Sequence, residues 1–331
     1  MTRFILDDSN FNALPGETVL AALRRHGAKV NYSCTKGQCR SCLLQHKAGP
    51  IPRQAQRGLE AGLKQAGLVL ACQCPARDKL VLASLDHAFY QAAVIVDKQW
   101  LTDSVVRLVL KPGTPLHFRA GQCLSLLVPG MFSRTYGIAS RENAETLTLH
   151  IRRKHNGKLS HWLFHEAKVG EQLQLSQPWG ECCYRAEFVE DELIVVAGGT
   201  GIGPAAAIVE EAMASGHRGK IYLYHHGRNL EDLYLHRELL RRMLERRELH
   251  YQALISSRSE ADRIDNNRVI LAEPQDIVPA RHSLERHQRL FILGEPAMVA
   301  AVREMAFLAA LPMDRIHVMG FEYRDLRRSP R

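Results

Sequence analysis

Residues 34–42 read CTKGQCRSC, with three cysteines (Cys34, Cys39 and Cys42) at the spacing C-x4-C-x2-C. A tight loop carrying three thiolates converges them on one small volume, while its backbone N–H groups turn inward towards the sulfurs. Two irons bridged by two sulfides need four such thiolates. Gly37 suits the loop, because glycine adopts positive φ and lets the backbone approach closely without a Cβ clash. The fourth thiolate must come from elsewhere, and CQC at 72–74 offers two candidates. Cys72 lies 30 residues beyond Cys42 and directly follows the apolar run LVLA; Cys74 is the alternative. A structural zinc site made of Cys39-x2-Cys42 and Cys72-x-Cys74 is the competing arrangement. It leaves Cys34 and Gly37 unexplained, so the cluster reading is preferred.

Around this loop the sequence resembles the plant-type ferredoxin domain, in which the fourth cysteine ends an apolar run. The resemblance implies Cys34, Cys39, Cys42 and Cys72 as ligands of a [2Fe–2S] cluster, with Cys74 a spare thiol. RFIL…PGETVLAAL reads as a strand, a turn, a strand end and a short helix stopped at Gly27. That order is similar to the hairpin and helix that open the ferredoxin β-grasp fold. Pro75 and Asp78 match the turn after the fourth ligand. The domain is expected over residues 1–90.

The chain of 331 residues suggests two or three domains, each able to bury its own core. No signal-peptide h-region opens it, and no run approaches the ~18 apolar residues of a membrane span. A cytoplasmic monomer is the expectation, and eight cysteines fit a reducing compartment. The net charge is +9, yet no basic run with interleaved aromatics points to nucleic acid. Residues 1–90 carry 12 Lys/Arg against 6 Asp/Glu. A four-thiolate oxidised cluster adds about −2, so this domain stays basic. An acidic docking face on the partner is one reading of that charge; ordinary solvated surface cations are the other.

From Ala92 the pattern changes to strands. AAVIVDKQWLTDSVVRLVLKP alternates as two strands about a polar turn, and LSLLVP and ETLTLHIRR add more. GQ (121–122) and PG (129–130) punctuate them, which suggests an antiparallel barrel over 91–186. In SRTYGIAS (133–140), Arg134 suits a diphosphate and Tyr136 a flat ring. Gly157 and Ser160, in NGKLSHWL, fall where a helix begins, a ready anion site. In this order the motifs resemble the FAD-binding domain of the ferredoxin–NADP⁺ reductase superfamily, R-x-Y-S/T followed by G-x-x-S/T, with PWG at 178–180 where that family has GP-x-G. The resemblance implies FAD contacts at Arg134, Tyr136, Gly137, Ile151, Gly157 and Ser160. Gly137 departs from the family's Ser or Thr beside flavin N5.

DELIVVAGGTGIGPAAAIVEEAMASG, within 187–331, reads as a buried strand, a glycine-rich turn and a helix: the first unit of a doubly wound parallel sheet. The turn is not G-x-G-x-x-G, because Pro204 stands at its last position. GGTGIGP instead resembles the superfamily's pyridine-nucleotide motif. Gly199 and Gly201 would admit a pyrophosphate and Thr200 would face the nicotinamide. Arg228, at a strand end, and Gly294 with Pro296, in GEPAMV, complete the implied NAD(P) site. Leu293 replaces the family's cysteine before that glycine. Phe321 or Tyr323 would approach the flavin.

Over the full length the resemblance is to reductase components of multicomponent oxygenases. It implies an NAD(P)H-dependent oxidoreductase that passes electrons through FAD and a [2Fe–2S] cluster to a protein partner, an oxygenase component. Thr200 and Tyr136 would be the catalytic contacts. Arg228, Arg258 and Arg263 could meet a 2′-phosphate and Glu231 and Asp232 would oppose it, so the residues leave NADH and NADPH open; the resemblance to oxygenase reductases implies NADH. A reductase for a non-oxygenase partner, or a slowly turning-over redox sensor, are the alternatives.

Overall fold

A computed structural model of the chain describes residues 1–32, 34–85, 89–128, 133–142, 144–263 and 269–321, with 261–263 described by backbone alone. The first layer comprises β1 (Thr2–Leu6), β2 (Ser9–Ala13), α1 (Val19–Arg25), β3 (Leu43–Ala48), α2 (Ala61–Gln65), β4 (Leu68–Leu70) and β5 (Val81–Ala83). Its sheet runs β2-β1-β5-β3-β4, with β1 and β5 parallel and the other pairs antiparallel. The β1–β2 hairpin turns on Asp7 and Asp8, both at positive φ, as a two-residue turn matched to strand twist requires. Thr18 caps α1 by accepting from the Ala21 N–H at 3.2 Å, and the helix buries Val19, Leu20, Ala22 and Leu23. This is the expected β-grasp module, and its core runs up to Cys42, Cys72 and Cys74.

Next come β6 (Tyr90–Trp100), β7 (Val105–Pro112), β8 (Cys123–Leu127), β9 (Arg134–Gly137), β10 (Leu147–Arg152), α3 (Lys158–His165) and β11 (Gln172–Ser176). The order β10-β7-β6-β11-β8-β9 is antiparallel throughout. A bridge between Ile138 and Leu149 brings its two ends together into a barrel. Alternation in β10 sends Leu147, Leu149 and Ile151 into the barrel core. The turn expected at 129–130 lies outside the described residues.

The last module holds β12 (Glu192–Gly198), α4 (Ile202–Ala214), β13 (Ile221–Gly227), α5 (His236–Glu245), β14 (Leu249–Ile255), β15 (Val269–Leu271), α6 (Pro274–Arg281), β16 (Gln288–Gly294), α7 (Pro296–Leu308) and β17 (Ile316–Gly320). Its sheet, β15-β14-β13-β12-β16-β17, is wholly parallel. Every residue of β16 and nearly every one of β12 is buried, because helices cover both faces. The chain winds outward from β12 to β15 and then returns to β16 on the other side. That places the topological switch point, where such folds bind ligands, between the carboxyl ends of β12 and β16.

Candidate functional site

The cysteine loop brings its thiols together in two pairs, Cys34 with Cys39 and Cys42 with Cys72. Within each pair one thiol holds a proton for the other. Hydrogen bonding from Cys34 lowers the Cys39 thiol to about 6. Hydrogen bonding from Cys42 lowers Cys72 to about 7, and the Gly37 backbone contributes in the same direction. The N–H groups of Lys36, Gln38 and Cys39 donate to Cys34 Sγ at 3.4, 3.3 and 3.3 Å, and the Cys34 N–H donates to Cys39 Sγ at 3.3 Å. Such a nest of amides stabilises negative sulfur. Gly37 sits at φ +83, and a Cβ there would meet Gln73 Cγ at 2.9 Å. Cys74 stands apart, fully buried, with burial pushing its thiol up to about 12. Among the described residues no three His, Cys, Asp or Glu side chains converge on the position of one ion. Two thiol pairs, with Cys74 in neither, suit a two-iron cluster better than a zinc tetrahedron through Cys74.

Strand β9 lies against this loop. The Thr135 hydroxyl donates to the Cys39 carbonyl at 2.8 Å, and Asn31 Oδ1 accepts from the Ser133 N–H at 3.3 Å. Arg134 donates to the Ser133 carbonyl at 2.7 Å, and burial lowers its pKa. Tyr136 packs half-buried on the barrel core. Gly137 is glycine for a steric reason: a Cβ would stand 2.8 Å from Pro204 Cγ and 3.2 Å from both Met319 Sδ and Phe321 Cζ. The family's Ser or Thr has no room there. Phe321 is thus the terminal aromatic at β9; Tyr323 lies outside the described residues.

At the far end of the barrel, Gly157 caps α3. A Cβ on it would come 2.4 Å from Ser160 Oγ, which accepts from the Lys154 N–H at 3.1 Å and donates to the Gly157 carbonyl at 3.2 Å. Glycine is needed so that the serine can fold back and order the helix entrance. Ile151 has its side chain fully buried in the barrel core, leaving only its backbone for a ligand. The cations that follow it were not singled out from the sequence. Arg152 pairs with Asp232 at 2.9 Å across the seam to the third module, and burial lowers the Lys154 pKa. The run RRK ahead of Gly157 was the available signal.

At the switch point Gly199, Thr200 and Gly201 form a short 3-10 turn that flows into α4. Gly199 has φ +56, and a Cβ added there would meet nothing within 4 Å, so the space above it is open to a ligand. A Cβ on Gly201 would strike the Leu293 carbonyl at 2.4 Å, and one on Gly294 the Gly198 carbonyl at 2.8 Å. The two loops are therefore in backbone contact, with the N-termini of α4 and α7 beside each other. Pro296 is the first residue of α7. Arg228 is held by Glu295 through a fork at 2.9 and 3.0 Å. Leu293 is wholly buried among Ile202, Phe291 and Met319. The barrel and nucleotide modules meet where Gly203 packs on His150, His150 Nδ1 lies 3.0 Å from the Tyr234 hydroxyl, and Glu211 accepts from the Glu142 N–H at 3.0 Å.

The thiol-lined loop thus rests on barrel strand β9, and β9 rests on the helix that follows the glycine-rich turn, the arrangement of a flavin-type reductase joined to an iron–sulfur domain. Comparison with known proteins agrees module by module. Residues 5–77 match the 2Fe-2S iron-sulfur cluster binding domain, 92–184 the oxidoreductase FAD-binding domain and 195–304 the oxidoreductase NAD-binding domain. The ferredoxin–NAD(+) reductase component of an alkene monooxygenase system from Xanthobacter autotrophicus is 34% identical over 244 residues, covering 70% of this chain and 74% of that one. The reductase subunit of an aromatic O-demethylase from Amycolatopsis is 31% identical, covering 66% and 70%. In structure, a cytochrome P450 reductase from Amycolatopsis superposes with a TM-score of 0.66 at 26% identity over 97% of this chain and 99% of its own. The chain belongs to the ferredoxin–NADP⁺ reductase superfamily, in its oxygenase-reductase type with an N-terminal [2Fe–2S] domain. It is an NAD(P)H-dependent oxidoreductase of FAD and [2Fe–2S] type.

Proposed function

We propose that this chain is the reductase component of an oxygenase system, taking electrons from NADH and handing them singly to an oxygenase or to an intermediary ferredoxin. When bound, NADH supplies a hydride, FAD splits the pair, and the cluster carries single electrons. The chain's own residues supply placement and electrostatics. Cys34, Cys39, Cys42 and Cys72 would hold the cluster, with loop amides offsetting thiolate charge. Arg134, Tyr136 and the Gly157–Ser160 helix entrance would hold FAD, with Gly137 and the Ile151 backbone alongside. Gly199, Thr200, Gly201, Gly294 and Pro296 would receive the nucleotide, and Thr200 and Tyr136 would be the catalytic contacts.

The observation that carries this reading is the contact of all three motifs in one seam: Cys39 on Thr135, and Gly137 on Pro204. NADH is preferred because Arg228, a cation that could meet a 2′-phosphate, is already engaged by Glu295, and Glu260, which accepts from the Leu230 N–H at 2.7 Å, adds negative charge near that strand end. Arg263 has no described side chain. The partner would offer an acidic face to the basic cluster module, and the chain would act as a cytoplasmic monomer. Among the described residues no helix is long and apolar enough to cross a membrane.

The test is an anaerobic absorbance spectrum followed by titration with each nucleotide. Flavin and iron–sulfur bands bleached by NADH at lower concentration than NADPH are expected. A preparation from iron-replete cells that holds zinc but neither flavin nor acid-labile sulfide would overturn the reading.

A further inference from the structure

We infer that Arg40 and Thr135 are positioning residues that fix the cluster loop on the flavin module and so set the rate of electron passage between the two. The inference rests on the proposed function. Arg40 stands between Cys39 and Cys42 with φ +54, a left-handed conformation that a non-glycine residue adopts at a cost. Its side chain is only 8% exposed and grips Glu60 with two hydrogen bonds of 2.5 and 2.6 Å. The same guanidinium stacks 4.3 Å over the ring of Trp179, which belongs to the other module. Trp179 is itself fixed: its N–H donates to the Cys123 carbonyl at 2.8 Å, its carbonyl accepts from the Cys123 N–H at 2.9 Å, and it packs against the core beneath the parallel sheet.

Thr135 makes the second tie, from the middle of β9 to the carbonyl of Cys39. The two contacts therefore clamp adjacent residues of the loop, at Cys39 and Arg40. Cys39 is also the one ligand candidate among the four that is not fully buried. The Arg40–Glu60 pair is neutral as a unit, so it contributes geometry with little net field at the cluster. Arginine is specific here, because a planar fork can chelate a carboxylate and lie flat on an indole at once, which a lysine cannot.

The variants are R40A, W179A and W179F, with T135V against T135S, each purified with its cofactors and mixed with NADH in a stopped-flow instrument. Flavin bleaching by NADH should keep its wild-type rate. The following flavin-to-cluster step should slow at least about tenfold in R40A, W179A and T135V, as small misplacements of reacting partners do. W179F, which keeps a ring face, and T135S, which keeps the hydroxyl, should stay near wild type. The cluster's midpoint potential and electron paramagnetic resonance signal should be unchanged in W179A, in T135V and in R40A combined with E60Q, while hydrogen exchange of the loop amides rises. E60Q removes the carboxylate that R40A alone leaves unpaired, and the double variant should be as slow as R40A. Wild-type rates between flavin and cluster in all variants would overturn the inference, as would a slowing that tracks a shifted cluster potential. A wild-type preparation lacking flavin and cluster would instead remove the functional reading itself, and this inference with it.

Discussion

Gly137 and the CQC cysteines show how far single residues carry the chemistry. A side chain at 137 must push into Pro204, Met319 and Phe321, so G137A and G137S should lower stability by about 1–3 kcal/mol, read from urea midpoints. Unchanged midpoints would mean that the seam yields freely. Between the two CQC thiols, C72S should abolish the cluster's visible absorbance, while C74A should keep it, because Cys74 is packed in the core away from both thiol pairs. The reverse outcome would move the fourth ligand to Cys74. Leu293 looks like a lost thiol in the sequence, but its side chain lies in the core, so the substitution fills space beneath the crevice. The spacing of Cys34, Cys39 and Cys42 was legible because one short loop carries all three. The crowding at Gly137 was not, since Pro204 and Phe321 are distant in the chain.

Where elements meet, buried histidines make stability depend on pH. His150, on β10, packs under α4 and beside Tyr234, and burial, with Arg107 nearby, lowers its pKa to about 4. Unfolded, it would titrate at about 6.5. Between these values the unfolded chain binds a proton that the folded one refuses. Stability is therefore full above about pH 6.5 and falls as pH drops towards about 4. His225 and His317, lowered by burial to about 3 and about 4, act in the same sense. Urea titrations between about pH 7 and 5 should show this slope, and H150Q should reduce it by up to about 1.4 kcal/mol per pH unit at its lower end. An identical slope in H150Q would show that His150 protonates freely in the folded protein. The strands and helices flanking this contact were readable from period-two and glycine-punctuated patterns. Their packing partner was not, because Gly203 and His150 are joined only in space.

For the whole molecule, the balance of charge is the lever. The chain carries +9, with 12 Lys/Arg against 6 Asp/Glu in its first 90 residues. Reduction of an acidic protein acceptor should slow about tenfold between roughly 20 and 200 mM salt, while reduction of a neutral quinone should not respond. A flat salt profile with the protein acceptor would remove the steering argument. The order of the three modules, by contrast, does not depend on charge.

By itself the sequence determined the local chemistry: which loop carries thiols, which turn is glycine-rich at the head of a helix, and that a mixed sheet, a barrel and a parallel sheet follow one another in that order. These follow from spacing, periodicity and glycine placement, all of which are properties of neighbouring residues. Only the tertiary structure decided which thiols pair, why position 137 admits no side chain, and that Arg40 reaches Trp179 while Thr135 reaches Cys39. All but the Cys34–Cys39 pair join residues at least 30 positions apart, up to 184 for Gly137 and Phe321, and close packing within and between the modules sets them.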